Sequence, residues 1–88
     1  MVHVMKSFLV TVCVPTYNKA PLLRQGLESI LAQTFSDFKL IVVDDHSSDD
    51  TKDVVASLRD ERVEYVVNAT NLGYTENCNR CIGLALET

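Results

Sequence analysis

The run Leu40-Ile41-Val42-Val43 ends directly on Asp44-Asp45, and the turn formers His46 to Asp49 follow. An unbroken apolar run that includes two β-branched valines, bounded by polar residues, is the pattern of a strand buried on both faces. Two carboxylates then stand at the carboxyl end of that strand, the edge where open α/β sheets collect their ligands. Asp50 is placed to cap a helix opening at Thr51. This one stretch therefore asks for helices on both sides of a parallel sheet, and for a polar site at the strand tip.

The flanking segments agree. Phe8 to Val14 is a second apolar, β-branched run, ended by Pro15, which cannot donate a ladder hydrogen bond. Pro15-Thr16-Tyr17-Asn18 is a turn, with Asn18 as the expected cap of a helix from about 20 to 33 and Pro21 tolerated in its first turn. Leu23, Leu27, Ile30 and Leu31 form one stripe at helical period. Thr51 to Asp60 reads as a second helix with Val54, Val55 and Leu58 inward and an acidic first turn at Asp53. Val63 to Val67 is a third strand, Asn68 to Gly73 a polar loop, and Thr75 to Leu86 a third helix with Tyr74, Cys78, Cys81, Ile82 and Ala85 on its apolar stripe. The expected fold class is α/β: a three-layer, Rossmann-like βαβαβα parallel sheet.

Length and charge set the outer limits. Eighty-eight residues make one domain that buries roughly 60–65% of its unfolded surface. A net charge of −4 argues against nucleic acid or an anionic membrane as partner. No run approaches the roughly 18 apolar residues of a membrane span, and the start has no signal-peptide pattern. Three cysteines make no disulfide framework, which points to a reducing, cytoplasmic setting.

Pro15-Thr16-Tyr17-Asn18, Ser29 to Phe38, Val42 to Thr51, and Asn71-Leu72-Gly73-Tyr74 with Cys78-Asn79 occur in an order and spacing that resembles family 2 glycosyltransferases of the GT-A fold. The resemblance covers about residues 8 to 88. It implies transfer of a sugar from a nucleotide diphosphate donor to an acceptor hydroxyl. It also implies that this sequence is the amino-terminal, nucleotide-recognising portion, residues 1–88 forming a partial GT-A domain. The family's Asp-x-Asp-type strand, which holds manganese or magnesium on the donor diphosphate, and its general base are not in this sequence. The chain alone is therefore expected to be inactive, with the divalent metal belonging to a full-length enzyme.

The same resemblance assigns nucleotide-binding roles to Pro15, Thr16, Tyr17, Asn18, Asp44, Asp45, Asn71, Gly73 and Asn79. Tyr17 would stack on the base. Asp45 would accept the N3–H of uracil, making a UDP-sugar the expected donor. Asp44 is expected to order the loop by accepting backbone N–H groups. Read without the resemblance, the Asp pair serves equally as loop and helix-cap structure, and Tyr17 as a side chain packed over the helix start. Gly73 reads as a loop residue needing positive φ.

Other features carry bland readings. Cys78-Asn79-Arg80-Cys81 lies inside a helix without a second ligand pair, so buried thiols are expected rather than a zinc or redox site. His46 reads as a solvated loop residue, and Asp49-Asp50 as capping rather than magnesium binding. The resemblance implies that the strand Phe8–Val14 is internal in the family, beside a fourth strand not in this sequence, so an open edge and with it a homodimer or a tendency to aggregate are expected. Two rivals remain: a stand-alone nucleotide-binding or interaction module, and a receiver-like phosphoacceptor, which would need its acidic pair after the first strand.

Overall fold

The computed structural model describes residues 2–6, 9–33 and 37–87. Four strands and three helices alternate as β1 (Val2–Lys6), β2 (Leu9–Thr16), α1 (Ala20–Leu31), β3 (Phe38–Asp44), α2 (Thr51–Ser57), β4 (Val63–Val67) and α3 (Tyr74–Glu87). The strands form one sheet in the order β1-β2-β3-β4, in which β2, β3 and β4 are parallel.

The period-2 alternation of β3 sorts its side chains between two cores. Phe38, Leu40 and Val42 pack with Leu23, Leu27 and Val55 on the face covered by α1 and α2. Ile41 and Val43 pack with Cys13, Cys81 and Ala85 beneath α3. Leu40, Ile41, Val42 and Val43 have no exposed surface, as the doubly covered strand requires. The three layers and the parallel sheet agree with the expected fold class.

The amino-terminal edge differs from expectation. Residues 2–6 form an antiparallel strand on β2, in register from Val2↔Cys13 to Lys6↔Leu9. The edge of β2 is thus occupied, and the physical basis for a homodimer through that edge is removed. Phe8, the expected start of the strand, lies outside the described residues. Nor does Pro15 end β2, which continues to Thr16. The Thr16 carbonyl accepts from the Asp45 N–H just past β3, so the neighbouring Pro15 nitrogen faces the other side, beyond the last pair with β1 at Cys13. There a missing N–H costs no ladder bond.

Helix boundaries shift for identifiable reasons. α1 starts with Pro21 in its first turn, but its cap residue is Lys19 and no side chain of the cap bonds the helix. The Ala20 N–H is instead satisfied by Asp49 Oδ2 at 3.2 Å, from a loop 29 residues away. Asp50 precedes α2 without a side-chain cap bond, and Asp49 Oδ1 takes the Thr51 N–H at 3.1 Å together with the Thr51 hydroxyl. One carboxylate therefore serves two helix starts. α3 is rolled relative to the expected stripe: Asn77, Cys81 and Ala85 are buried, while Tyr74 and Ile82 are exposed. An asparagine takes the inward position because the sheet supplies its partners. No helix among the described residues is long and apolar enough to cross a membrane.

Candidate functional site

A cavity of about 820 Å³ opens at the carboxyl end of β2 and β3, within the ~300–1,000 Å³ range of small-molecule sites. One end is apolar, walled by Leu22, Leu23, Leu27 and Ile30 of α1. The other end is polar, formed by Thr16, Tyr17, Asp45, Asn71, Gly73 and Asn77. Lys19 and Asp45 are the charged residues on its wall.

Adjacent residues at a strand end point to opposite faces, and this separates the two carboxylates. Asp44 follows the register of Leu40 and Val42, and Asp45 that of Ile41 and Val43. Both are 2% exposed, yet only Asp45 lines the cavity. Asp44 Oδ1 accepts the Ser47 N–H at 2.9 Å and the Ser47 hydroxyl, and Oδ2 accepts the Tyr65 hydroxyl. Burial first, and the Asp44 carboxylate second, push the Tyr65 phenol well above its ordinary range. Asp44 orders the loop that follows its own strand.

Asp45 orders the loop of the next strand. Its Oδ1 accepts the Asn68 amide at 2.8 Å and the Leu72 N–H at 2.7 Å, and its Oδ2 accepts the Gly73 N–H at 2.8 Å. Its carbonyl accepts the Asn71 amide at 3.1 Å. The turn bringing two N–H groups onto one carboxylate needs Gly73 at φ +91°, a region where a side chain would be strained. Burial works against the Asp45 charge. The N–H groups of Leu72, Asn68 and Gly73, with His46 nearby, overcome it and hold the carboxyl below the usual carboxylate range.

Of the nine residues expected at a nucleotide site, the cavity brings together Pro15, Thr16, Tyr17, Asp45, Asn71 and Gly73. Three are elsewhere. Asp44 faces the opposite core. Asn18, at φ 49°, clamps the loop after β3: its Oδ1 accepts the Ser48 N–H at 2.8 Å and the Asp49 N–H at 3.3 Å. Asn79 is exposed on α3 and does not line the cavity. His46 is exposed at φ 65°, its Nδ1 lying 3.1 Å from the Asn68 carbonyl.

Sequence reasoning missed Asn68, Asn77 and Tyr74. Asn77 donates to the Val43 carbonyl at 3.1 Å and accepts from Asn68 at 2.8 Å. Its spacing of four and eight residues from Cys81 and Ala85 was the available signal, hidden because an inward stripe is sought among apolar residues. Tyr74, 80% exposed, adds a second aromatic to the wall that holds Tyr17. Cys13 and Cys81 are fully buried and Cys78 half-buried. Among the described residues no three His, Cys, Asp or Glu side chains are placed to hold a metal ion.

The family model for glycosyl transferase family 2 matches residues 11–87. The chain belongs to that family. It is 45% identical, over 84% of its length, to the GalNAc(5)-diNAcBac-PP-undecaprenol beta-1,3-glucosyltransferase of Campylobacter jejuni, of which the match covers 24%. It is 34% identical, over 73% of its length, to the UDP-Glc:alpha-D-GlcNAc-diphosphoundecaprenol beta-1,3-glucosyltransferase of Escherichia coli, of which the match covers 25%. Among solved structures, a mannosyltransferase from Pyrobaculum calidifontis in complex with GDP-Man and Mn2+ superposes with a TM-score of 0.74 at 30% identity. That match covers 88% of this chain and 24% of the other. The chain thus spans about a quarter of the length of these relatives.

Proposed function

We propose that this glycosyltransferase family 2 chain binds the nucleotide of a uridine diphosphate sugar, with Asp45 reading the base. The observation that carries the proposal is the hydrogen-bond inventory of the Asp45 carboxylate. An ionised carboxylate has about four acceptor sites. Asn68 and Leu72 fill both on Oδ1, and Gly73 fills one on Oδ2, which leaves a single acceptor on a residue of the cavity wall. The imide edge of uracil offers a single N–H between two carbonyls, so one acceptor suits it. Guanine offers N1–H and N2–H₂ side by side and needs two. An N–H left unpaired in a desolvated site costs ~1–3 kcal/mol.

The remaining wall supports the same ligand. Tyr17, 46% exposed, offers a face for stacking worth ~1–3 kcal/mol. A hydrogen bond to the charged carboxylate adds ~1.5–3 kcal/mol. Lys19 supplies positive charge at the start of α1, toward which a diphosphate is drawn. Ordering and desolvation offset much of this sum, so the dissociation constant of the chain for UDP is near or above ~1 mM.

Transfer belongs to the longer proteins that carry this portion; the chain itself is assigned binding without turnover. Release of nucleotide from UDP-glucose by the chain with added manganese would overturn that assignment. The binding reading is tested by titrating the ¹⁵N-labelled chain with UDP and with GDP. Saturating shifts at Tyr17, Asp45 and Gly73 with UDP at lower concentration than GDP are expected. A spectrum moved equally by both, or by neither at several millimolar, rejects it.

A further inference from the structure

Two tyrosines on the cavity wall are each the next residue after a hydrogen-bond partner of Asp45. The Asp45 N–H donates to the Thr16 carbonyl at 2.9 Å, and Tyr17 follows Thr16. The Gly73 N–H donates to Asp45 Oδ2 at 2.8 Å, and Tyr74 follows Gly73. Thr16 ends β2 and Gly73 ends the loop after β4, so the two rings are carried to Asp45 from the strands on either side of β3.

Tyr74 opens α3, and the helix itself fixes its direction. At about 100° per residue, Cys81 and Ala85, seven and eleven positions on, fall within about 20° of Tyr74 around the axis. Both are buried against the sheet. Tyr74 points the same way, yet it is 80% exposed and lines the cavity. The reason is position along the helix. Asn77 still reaches the Val43 carbonyl near the end of β3, whereas Tyr74, almost one turn earlier, overhangs the cavity beyond the strand tip. Its hydroxyl is hydrogen-bonded to Cys78, one turn along α3, which leaves the ring rather than the polar tip for a ligand.

We propose that Tyr74 is a second base-binding residue, forming with Tyr17 a two-sided aromatic slot that holds the base edge-on to Asp45. The inference rests on the nucleotide reading above and deepens it. A base whose N–H meets the free acceptor on Oδ2 stands beside the Gly73 N–H on that same oxygen, one residue from Tyr74. Tyr17 alone covers one face of such a base and leaves the other in water. Tyr74 covers the second. Stacking on an aromatic ring tolerates any base, because every base has a π-face. The two rings therefore supply affinity, and Asp45 supplies the choice of base.

The test is titration of the wild-type chain, Tyr74→Leu and Tyr74→Phe with uridine, UDP and UDP-glucose. Tyr74→Leu should raise the dissociation constants of all three by about fivefold, the lower end of a stacking contribution at an exposed ring. Tyr74→Phe keeps the ring and should stay within about twofold of wild type. In the wild-type chain, transferred NOEs should run from uridine H5 and H6 to the rings of both Tyr17 and Tyr74, and this measurement decides the matter if a variant does not fold. NOEs to Tyr17 alone, or Tyr74→Leu binding uridine as the wild type does, overturn the inference while the nucleotide reading stands. A loss confined to UDP-glucose overturns it too, because the ring then serves the sugar. A wild-type chain with no preference for UDP over GDP overturns both.

Discussion

The loop after β3 and the loop after β4 are each tied down by one carboxylate of the same dipeptide, and they differ in what the tie leaves open. Asp44 holds the first loop from the α1/α2 side, where Ser47 and Tyr65 take three of its roughly four acceptor sites and the cavity does not reach it. Asn18 and Asp49 complete that loop by stitching it to the start of α1. Asp45 holds the second loop from the α3 side with one acceptor left over beside an open cavity. A carboxylate turned away from the cavity is architecture. One with a residual acceptor at a cavity wall is placed to serve a ligand as well as its loop.

The contrast is broken most directly at Asp45. Asp45→Ala leaves the Asn68 amide and the Leu72 and Gly73 N–H groups without their acceptor, and each such loss costs ~1–3 kcal/mol. Chemical denaturation should show a loss of ~2–4 kcal/mol, and UDP titration should show no saturation. Asp44→Ala should cost ~1–2 kcal/mol through Ser47 and Tyr65 but leave the UDP dissociation constant of the folded chain within about threefold. If Asp44→Ala abolishes binding and Asp45→Ala does not, the two roles are reversed.

The capping roles sharpen the picture of the first loop. Asp49→Ala should destabilise by ~1–2 kcal/mol because it uncaps both α1 and α2, whereas Asp50→Ala should stay within ~0.5 kcal/mol. Equal losses at the two positions in urea denaturation would contradict the bonding at Asp49.

The smallest effect is in the pH dependence. The side-chain and backbone bonds from Arg62 hold Asp60 down to about 2 against an ordinary 3.8. Its folded pKa is depressed, so its contribution to stability is complete above pH 3.8 and disappears as pH falls toward 2. The carboxyl carbon shift of Asp60 should titrate near pH 2, and in Arg62→Gln at a higher pH that stays below 3.8, because the backbone N–H bond remains. Asp45 is depressed as well, so binding of UDP should be level from pH 8 down to about 5 and fall only below the ordinary carboxylate range.

Much of this was legible in the chain because it depends on local pattern. The unbroken run Leu40–Val43 requires cover on both sides, the stripe through Leu23 and Leu27 requires a helix over one of them, and Gly73 marks a left-handed turn. The pairing of residues 2–6 with β2 was not legible, since a five-residue strand of ordinary composition carries no statement of its partner. The burial of Asn77 was not legible either. Its inward place on α3 depends on the Val43 carbonyl and the Asn68 amide, 34 and nine residues away.

The sequence by itself determined the three-layer parallel sheet, the family, and the acidic pair at a strand tip, because periodicity, burial and motif spacing are properties of neighbours in the chain. Only the tertiary structure decided which carboxylate faces the cavity, which acidic residue caps the helices, and how many acceptors Asp45 has left. Those outcomes are set by hydrogen bonds between residues 20 to 30 positions apart, whose geometry exists only once the sheet has brought the loops together.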